Sequence, residues 1–193
     1  KELEAAEKRL TDELEAQRKH QQLMAISPIW VELVNLAKTY SDISTVPEEF
    51  AVDRDRVTRM GGVVTSESLI PVQKALGQWV DVTTDFDTSC SNALMMVTEP
   101  KTARMVSELY VQFRLVQKGI SVLAAKALVE DPLKVQDARL ELDKKMEGLR
   151  LRRRAVIRSA RENIVGAEWL DLSIDGVDPF EVDEPISAPP TIT

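Results

Sequence analysis

The sequence contains very little cysteine, histidine, glycine or aromatic side chain. Its 193 residues include one cysteine, Cys90, one histidine, His20, seven glycines and 5% aromatic residues. A single cysteine cannot close a disulfide within the chain, and one cysteine with one histidine cannot supply the four ligands of a usual zinc site. A carboxylate-bridged di-iron site is excluded too, because it needs a histidine from each of two helices. We therefore expect no metal ion and no other cofactor.

Long hydrophobic runs are also missing. No stretch reaches the roughly 18 consecutive apolar residues of a membrane-spanning helix, and no signal-peptide pattern is visible. We therefore expect an intracellular protein, most simply a cytoplasmic one. The chain begins at Lys1 inside a charged segment without an initiator methionine, so a membrane tether upstream of Lys1 is the alternative. The complete reading frame before Lys1 would decide between the two.

What the sequence does contain favours helices. Hydrophobic residues make up 44% of the chain, charged residues 30%, and the formal net charge is -7. Chains of this length, rich in Ala, Leu, Glu, Lys and Arg and poor in Gly, are typical of one helical core. The acidic balance argues against nucleic acid as a partner, because the chain would repel a polyanion over most of its surface.

The first segment, residues 1–26, reads as a charged helix. Its leucines are too sparse to cover a core, so the pattern predicts a stalk or a segment that pairs with another helix along a thin seam. Serine followed by proline at Ser27 and Pro28 is typical of a helix start. The apolar positions after Pro28 are also out of phase with the preceding leucines. We therefore expect a bend or break there, and a new helix.

Residues 27–170 are predicted to form the bundle. Thr45 and Glu48 have the capping-box spacing, which predicts a short helix from Val46 to Met60, ended by two glycines. Apolar residues then recur at alternating spacings of three and four along 68–98, 100–130 and 132–169. The fold expected is all-α, an elongated antiparallel bundle of three long helices plus one or two shorter ones. Residues 171–193 carry six acids, four prolines and no base, which predicts an irregular acidic tail.

A run of arginines in the last long segment is the main candidate site. Six arginines and no acid lie between positions 150 and 161. At about 100° per residue, five of them share a helix face within about 140°. These five are Arg150, Arg153, Arg154, Arg158 and Arg161. Guanidinium groups bind carboxylates and phosphates bidentately, so the face is predicted to bind an acidic surface.

Two kinds of acidic surface fit this face. One is within the chain, either the tail or the acids Asp53, Asp55, Asp81, Asp85 and Asp87. The other is a protein partner. Nucleic acid or anionic phospholipid on the same face is the runner-up. Arg153 and Asn163 fall within the apolar seam itself, where a polar residue either fixes register and oligomeric state or marks the point at which the seam meets water.

Catalytic interpretations are weaker. Asp81 and Asp85 stand four residues apart and could hold Mg²⁺ in an all-α enzyme, but such sites draw acids from a second helix as well. Cys90 occupies a seam position, so a buried hydrophobic role is expected. We therefore expect a non-enzymatic helical scaffold that binds other proteins, with homo-oligomerisation as a further possibility.

Overall fold

The computed structural model describes residues 2–165, with the side chain of Val165 excepted. These residues form an all-α bundle, which confirms the predicted fold class. The helices are α1 (Glu2–Ile43), α2 (Val46–Arg59), α3 (Ile70–Met96), α4 (Pro100–Val129) and α5 (Pro132–Ala160). One 3-10 turn, Ser66–Leu69, precedes α3, and one π-helical turn, Arg161–Val165, follows α5. The predicted acidic tail and the predicted end of the last helix at Trp169 lie outside the described residues.

The long helices begin where the sequence predicts. Glu99 caps α4 by accepting hydrogen bonds from the backbone of Lys101 and Thr102, and Asp131 caps α5 by accepting one from Lys134. In both helices proline occupies the first helical position, where no backbone N–H is needed. These caps fix tight reversals between α3 and α4 and between α4 and α5.

Each long helix packs antiparallel against the next one in the bundle. Between α1 and α3, Tyr40 lies beside Trp79 and Gln22 contacts Thr98, so residue numbers fall along one helix as they rise along the other. The same holds between α3 and α4 and between α4 and α5. The contacts that show it are Trp79 with Gln117, Asp87 with Tyr110, Gln112 with Lys145 and Glu108 with Arg152. At about 1.5 Å per residue, α3, α4 and α5 are rods of roughly 40–45 Å.

The core follows the predicted seams. All seven seam positions of α4 are buried. They are Val106, Leu109, Phe113, Val116, Ile120, Leu123 and Ala127. Phe113 stacks on Phe86 of α3 with ring centroids 4.6 Å apart. Burying the six side chains larger than alanine contributes on the order of 1.5–3 kcal/mol each, so the seam is a large source of stability in the bundle.

The predicted helix break at Ser27 and Pro28 is wrong. One α-helix of 42 residues runs from Glu2 to Ile43 with Pro28 inside it. Pro28 is exposed, so its ring lies on the solvent side and the Met24 carbonyl, which loses its usual donor, can be hydrated. Within residues 2–165 the bundle therefore has four long helices instead of three. The sparse leucines before Pro28 and the regular apolar positions after it therefore belong to one helix, whose first half is exposed and whose second half is packed in the bundle.

The predicted capping box at Thr45 is wrong as well. Thr45 makes no side-chain cap hydrogen bond, and its backbone is helical, with φ -82° and ψ -24°. A capping residue normally has extended backbone angles, which aim its side chain at the first turn. Only two residues separate α1 from α2, so the chain passes almost directly from one helix into the next. The short helix itself is confirmed over Val46–Arg59.

The first half of α1 projects from the bundle. Residues 2–21 are all exposed, whereas Gln22 and the inward-facing residues after it are buried. Leu3, Leu10 and Leu14 keep 74%, 59% and 56% of their surface in solvent. We call residues 2–21 the helical extension. None of the helices within residues 2–165 is long and apolar enough to cross a lipid bilayer.

Candidate functional site

The arginine run occupies the last turns of α5 and the π-helical turn after it. The structure divides the five predicted face residues by burial. Arg150 and Arg153 are half-buried, whereas Arg154, Arg158 and Arg161 are exposed. We call these three exposed residues the arginine cluster. At about 100° per residue they lie within about 60° of one another, so they form one compact surface.

Two arginines at the start of the run bind acids. Arg150 Nη1 lies 3.5 Å from Glu147 Oε2 on its own helix, and Arg152 Nη1 lies 2.6 Å from Glu108 Oε2 on α4. Glu108 also accepts from Arg104 at 3.2 Å, so it joins arginines of two helices. Glu147 and Glu108 are not among the acids proposed from the sequence. Glu108 lies beside Arg152 because of the register between α4 and α5, which the sequence does not reveal.

Two of the acids proposed from the sequence have other partners. Asp55 pairs with Arg59 at 2.7 Å, and Asp87 accepts from both Tyr110 and Arg114. Within the arginine run itself, Arg153, Arg154 and Arg161 also take part in polar or electrostatic interactions. The arginine cluster is therefore an exposed surface on which Arg154 and Arg161 already interact with other groups of the chain.

The two polar seam residues, Arg153 and Asn163, are both partly buried. Arg153 is half-buried, and its Nε atom is enclosed by the bundle. Asn163 donates to the carbonyl and to the hydroxyl of Ser159, at 2.9 and 3.2 Å. The Ser159 hydroxyl in turn lies 3.1 Å from that of Thr102, and both of these residues are buried. A small polar network therefore closes this end of the core.

The same end of the bundle carries a cleft of about 520 Å³. The buried Gln22 forms its base, where its carbonyl oxygen accepts from the backbone N–H groups of Thr98 at 2.8 Å and Glu99 at 2.9 Å. Arg18 donates to the Thr98 hydroxyl at 3.2 Å. Asn163 and Ile164 of the π-helical turn complete the wall, together with Thr11 and Leu14 of α1. Sequence reasoning missed Gln22, because burial of a glutamine in a charged helix has no local signature.

A second polar network joins α1, α2 and α5. The Tyr40 hydroxyl donates to Asp143 at 2.5 Å, and Arg139 donates to Glu48 at 2.7 Å. Burial, followed by the hydrogen bond to Asp143, raises the pKa of Tyr40 well above its ordinary value. Arg139 also lines a cleft of about 480 Å³ with residues of α2. The Tyr40 bond joins α1 to α5 and the Arg139 pair joins α2 to α5. Nothing in the sequence pattern pairs these side chains.

The residues considered for catalysis lie apart from both networks. Asp81 and Asp85 are exposed on α3. Over residues 2–165, no three His, Cys, Asp or Glu side chains are grouped closely enough to hold a metal ion. Cys90 is fully buried, and burial, with a smaller contribution from the Asp87 charge, raises the pKa of its thiol to about 12. A thiol so placed stays protonated at neutral pH, which agrees with a packing role.

Comparison with known proteins gives no relative for this chain. No protein family model, no curated protein and no solved structure matches it.

Proposed function

We propose that this chain is a non-enzymatic helical scaffold whose arginine cluster binds an acidic protein surface. The observation that carries the proposal is the exposure of Arg154, Arg158 and Arg161 on one side of α5 in a chain of net charge -7. Three exposed guanidinium groups within two or three helical turns supply directed donors for several carboxylates at once.

The surroundings of the cluster favour a protein over a polyanion. Leu151 keeps 54% of its surface in solvent and lies about 20° from Arg158 on the helix. Arginine beside exposed leucine is typical of protein interfaces, in which an apolar contact is surrounded by charge. A nucleic acid or a phospholipid headgroup would gain little from Leu151. The rest of the acidic chain would also repel either of them.

The acidic tail, residues 171–193, supplies one test ligand, because it is the nearest acidic segment along the chain. We propose to measure binding of a labelled peptide of these residues to the chain truncated after residue 170, by fluorescence anisotropy at low and high salt. Binding that weakens at least tenfold in the triple variant Arg154→Gln, Arg158→Gln, Arg161→Gln supports the proposal. The matched control is Arg56→Gln, an exposed arginine of α2, which is expected to leave the affinity unchanged.

Three further arms decide between the partner classes. Duplex DNA, single-stranded DNA and anionic liposomes are titrated against the same truncated chain at two salt concentrations. Phosphate binding through counterion release falls steeply as salt rises. If duplex DNA, single-stranded DNA or liposomes bind the arginine cluster more tightly than the peptide does, the proposal of an acidic protein partner is rejected. If no probe binds even at low salt, the arginine cluster is not a binding site.

A further inference from the structure

The outer face of α4 carries a second apolar seam, distinct from the one buried in the core. Val111, Leu115, Val122 and Val129 keep 59%, 50%, 41% and 79% of their surface in solvent. With the exposed Lys118 and Ala125 they recur at spacings of four, three, four, three and four. That is the rhythm of a helix that pairs with another helix. We call these six positions the α4 stripe. It runs for about 27 Å along the rod.

The charged side chains of α4 along the stripe are all basic, although Arg114 also pairs with Asp87 of α3 at 3.2 Å. Between residues 109 and 129 the chain has three bases, Arg114, Lys118 and Lys126, and no acid. Lys118 lies within the stripe, and Arg114 and Lys126 lie toward its two edges. A helix that covers this surface therefore needs apolar residues at the same spacing and acidic residues beside them.

The helical extension has these properties. Leu3, Ala6, Leu10 and Leu14 lie within about 80° of one another on one face of α1, and all four are exposed. Glu7 and Glu13 flank this face on its two sides. The extension contains six acids and four bases, a net charge of -2, and all six acids lie within residues 2–15. From Leu3 to Leu14 this face runs for about 17 Å at 1.5 Å per residue, so it covers more than half of the α4 stripe.

A chain cannot place its own extension on its own α4 stripe. α1 is a continuous helix from Glu2 to Ile43, and its second half packs along α3. The extension therefore leaves the bundle in the direction of the helix axis, at the end formed by Thr98 and Glu99. To reach the outside of α4 it would have to break and turn back across α3.

We infer that the helical extension of one copy docks on the α4 stripe of a second copy. Pairing two α4 stripes would bring Lys118 and its basic neighbours of both copies together, and pairing two extensions would do the same with Glu7 and Glu13. Only the mixed contact joins opposite charges. Such a contact is heterologous, so it either closes a pair by exchange of extensions or adds copies head to tail. It does not depend on the arginine cluster.

The test is a complementation experiment by sedimentation velocity over a range of concentrations. The unaltered chain is expected to associate as its concentration rises. Leu10→Asp disables the extension and Val122→Asp disables the stripe, so each variant alone is expected to associate at least tenfold more weakly. An equimolar mixture of the two is expected to recover association, because an intact extension on one chain meets an intact stripe on the other. Leu133→Asp is the matched control, since Leu133 is an exposed leucine of α5.

Each other outcome overturns the inference. A chain that stays monomeric at every concentration has no such contact. If Leu10→Asp loses association and Val122→Asp does not, the extensions pair with each other. If Val122→Asp loses association and Leu10→Asp does not, the α4 stripes pair with each other. A mixture that fails to associate also rejects the mixed contact. All substituted positions are exposed, and thermal melts followed by circular dichroism verify that each variant is folded.

Charge reversal gives an independent readout. The double variant Glu7→Lys, Glu13→Lys is expected to weaken association, and more strongly at low salt than at high salt. Mixing it with a Lys118→Glu chain is expected to restore part of the loss, because opposite charges again face each other. Equal association of the double variant and the unaltered chain at low salt would contradict the assigned role of these acids.

Discussion

Tyr40 joins the first long helix to the last through a single hydrogen bond. Its ring is buried beside Trp79, and its hydroxyl donates to the half-buried carboxylate of Asp143. A hydroxyl that is removed from water and bound to a carboxylate is a strong local constraint, because breaking the bond would leave a buried donor without a partner. This pair therefore fixes how α1 lies against α5.

Tyr40→Phe is expected to lower the free energy of unfolding at pH 7 by about 1.5–3 kcal/mol, since it leaves Asp143 without this donor. The native state holds the Tyr40 proton more tightly than the unfolded chain, whose tyrosines titrate near pH 10. The contribution is thus fully present below about pH 10 and is lost as the pH rises above that value. Urea unfolding at pH 7 and above pH 10 measures this effect. The difference in unfolding free energy between the unaltered chain and Tyr40→Phe is expected to be smaller at the higher pH.

Tyr110→Phe is the matched control for this substitution. Tyr110 also donates to an aspartate, Asp87, at 2.9 Å, but that aspartate keeps Arg114 as a partner. A smaller loss of stability is expected. Equal losses in the two variants, or a Tyr40→Phe loss that does not change with pH, would contradict the role given to the Tyr40 hydroxyl.

At the scale of the helix, two mid-helix glycines are in opposite situations. A Cβ atom added at Gly77 of α3 meets nothing within 4 Å, whereas one added at Gly119 of α4 overlaps the buried side chain of Leu142 on α5. Gly119 therefore allows α4 and α5 to approach closely. Gly77 has no such contact and only weakens its helix.

Gly77→Ala is expected to raise the free energy of unfolding by about 0.5–1 kcal/mol, the usual gain in helix propensity. Gly119→Ala is expected to lower it by about 1–3 kcal/mol, because overpacking against Leu142 outweighs the same gain. Denaturant unfolding of the two variants under identical conditions measures both signs. A stabilised Gly119→Ala would mean that Leu142 can move aside without cost.

How far the sequence predicts these elements depends on whether the determinant is local. Val106 and Phe113 belong to a regular seam, and Asp131 followed by proline is a local cap, so both could be predicted. The course of α1 through Pro28 could not, because the cost of a proline depends on which side of the helix faces water. The bond between Tyr40 and Asp143 spans 103 residues, and only the packed helices bring the two together.

The candidate site was predicted to a similar extent. The helical period placed Arg154, Arg158 and Arg161 on one surface, and the structure shows all three exposed. The helical period could not distinguish Arg150 and Arg153 from the three exposed arginines. The partial burial of these two residues is set by the position of the neighbouring helices. The ion pair of Arg152 with Glu108 likewise depends on the register between α4 and α5.

At the scale of the whole molecule, an acidic chain presents two basic surfaces on different helices. The arginine cluster lies at one end of α5, and the α4 stripe runs along the outside of α4. Acid is concentrated in the helical extension and in residues 171–193. This segregation of charge favours contacts between unlike parts of the molecule, either within an assembly of copies or with an acidic partner.

The helical extension should be the least protected helical segment of the monomer. Residues 2–21 are all exposed, although Arg18 contacts Thr98 near the bundle, and an isolated helix of about 20 residues is only marginally stable in water. Hydrogen exchange at a concentration that keeps the chain monomeric is expected to be fast at amides 5–17 and slow at amides 29–43, where the inward face of the same helix packs on α3. Uniform protection along α1 would contradict this division.

If copies associate through the extension, protection of amides 5–17 should rise with concentration while that of amides 29–43 stays constant. The increase should be absent in Val122→Asp, which keeps the extension intact and removes only its docking surface.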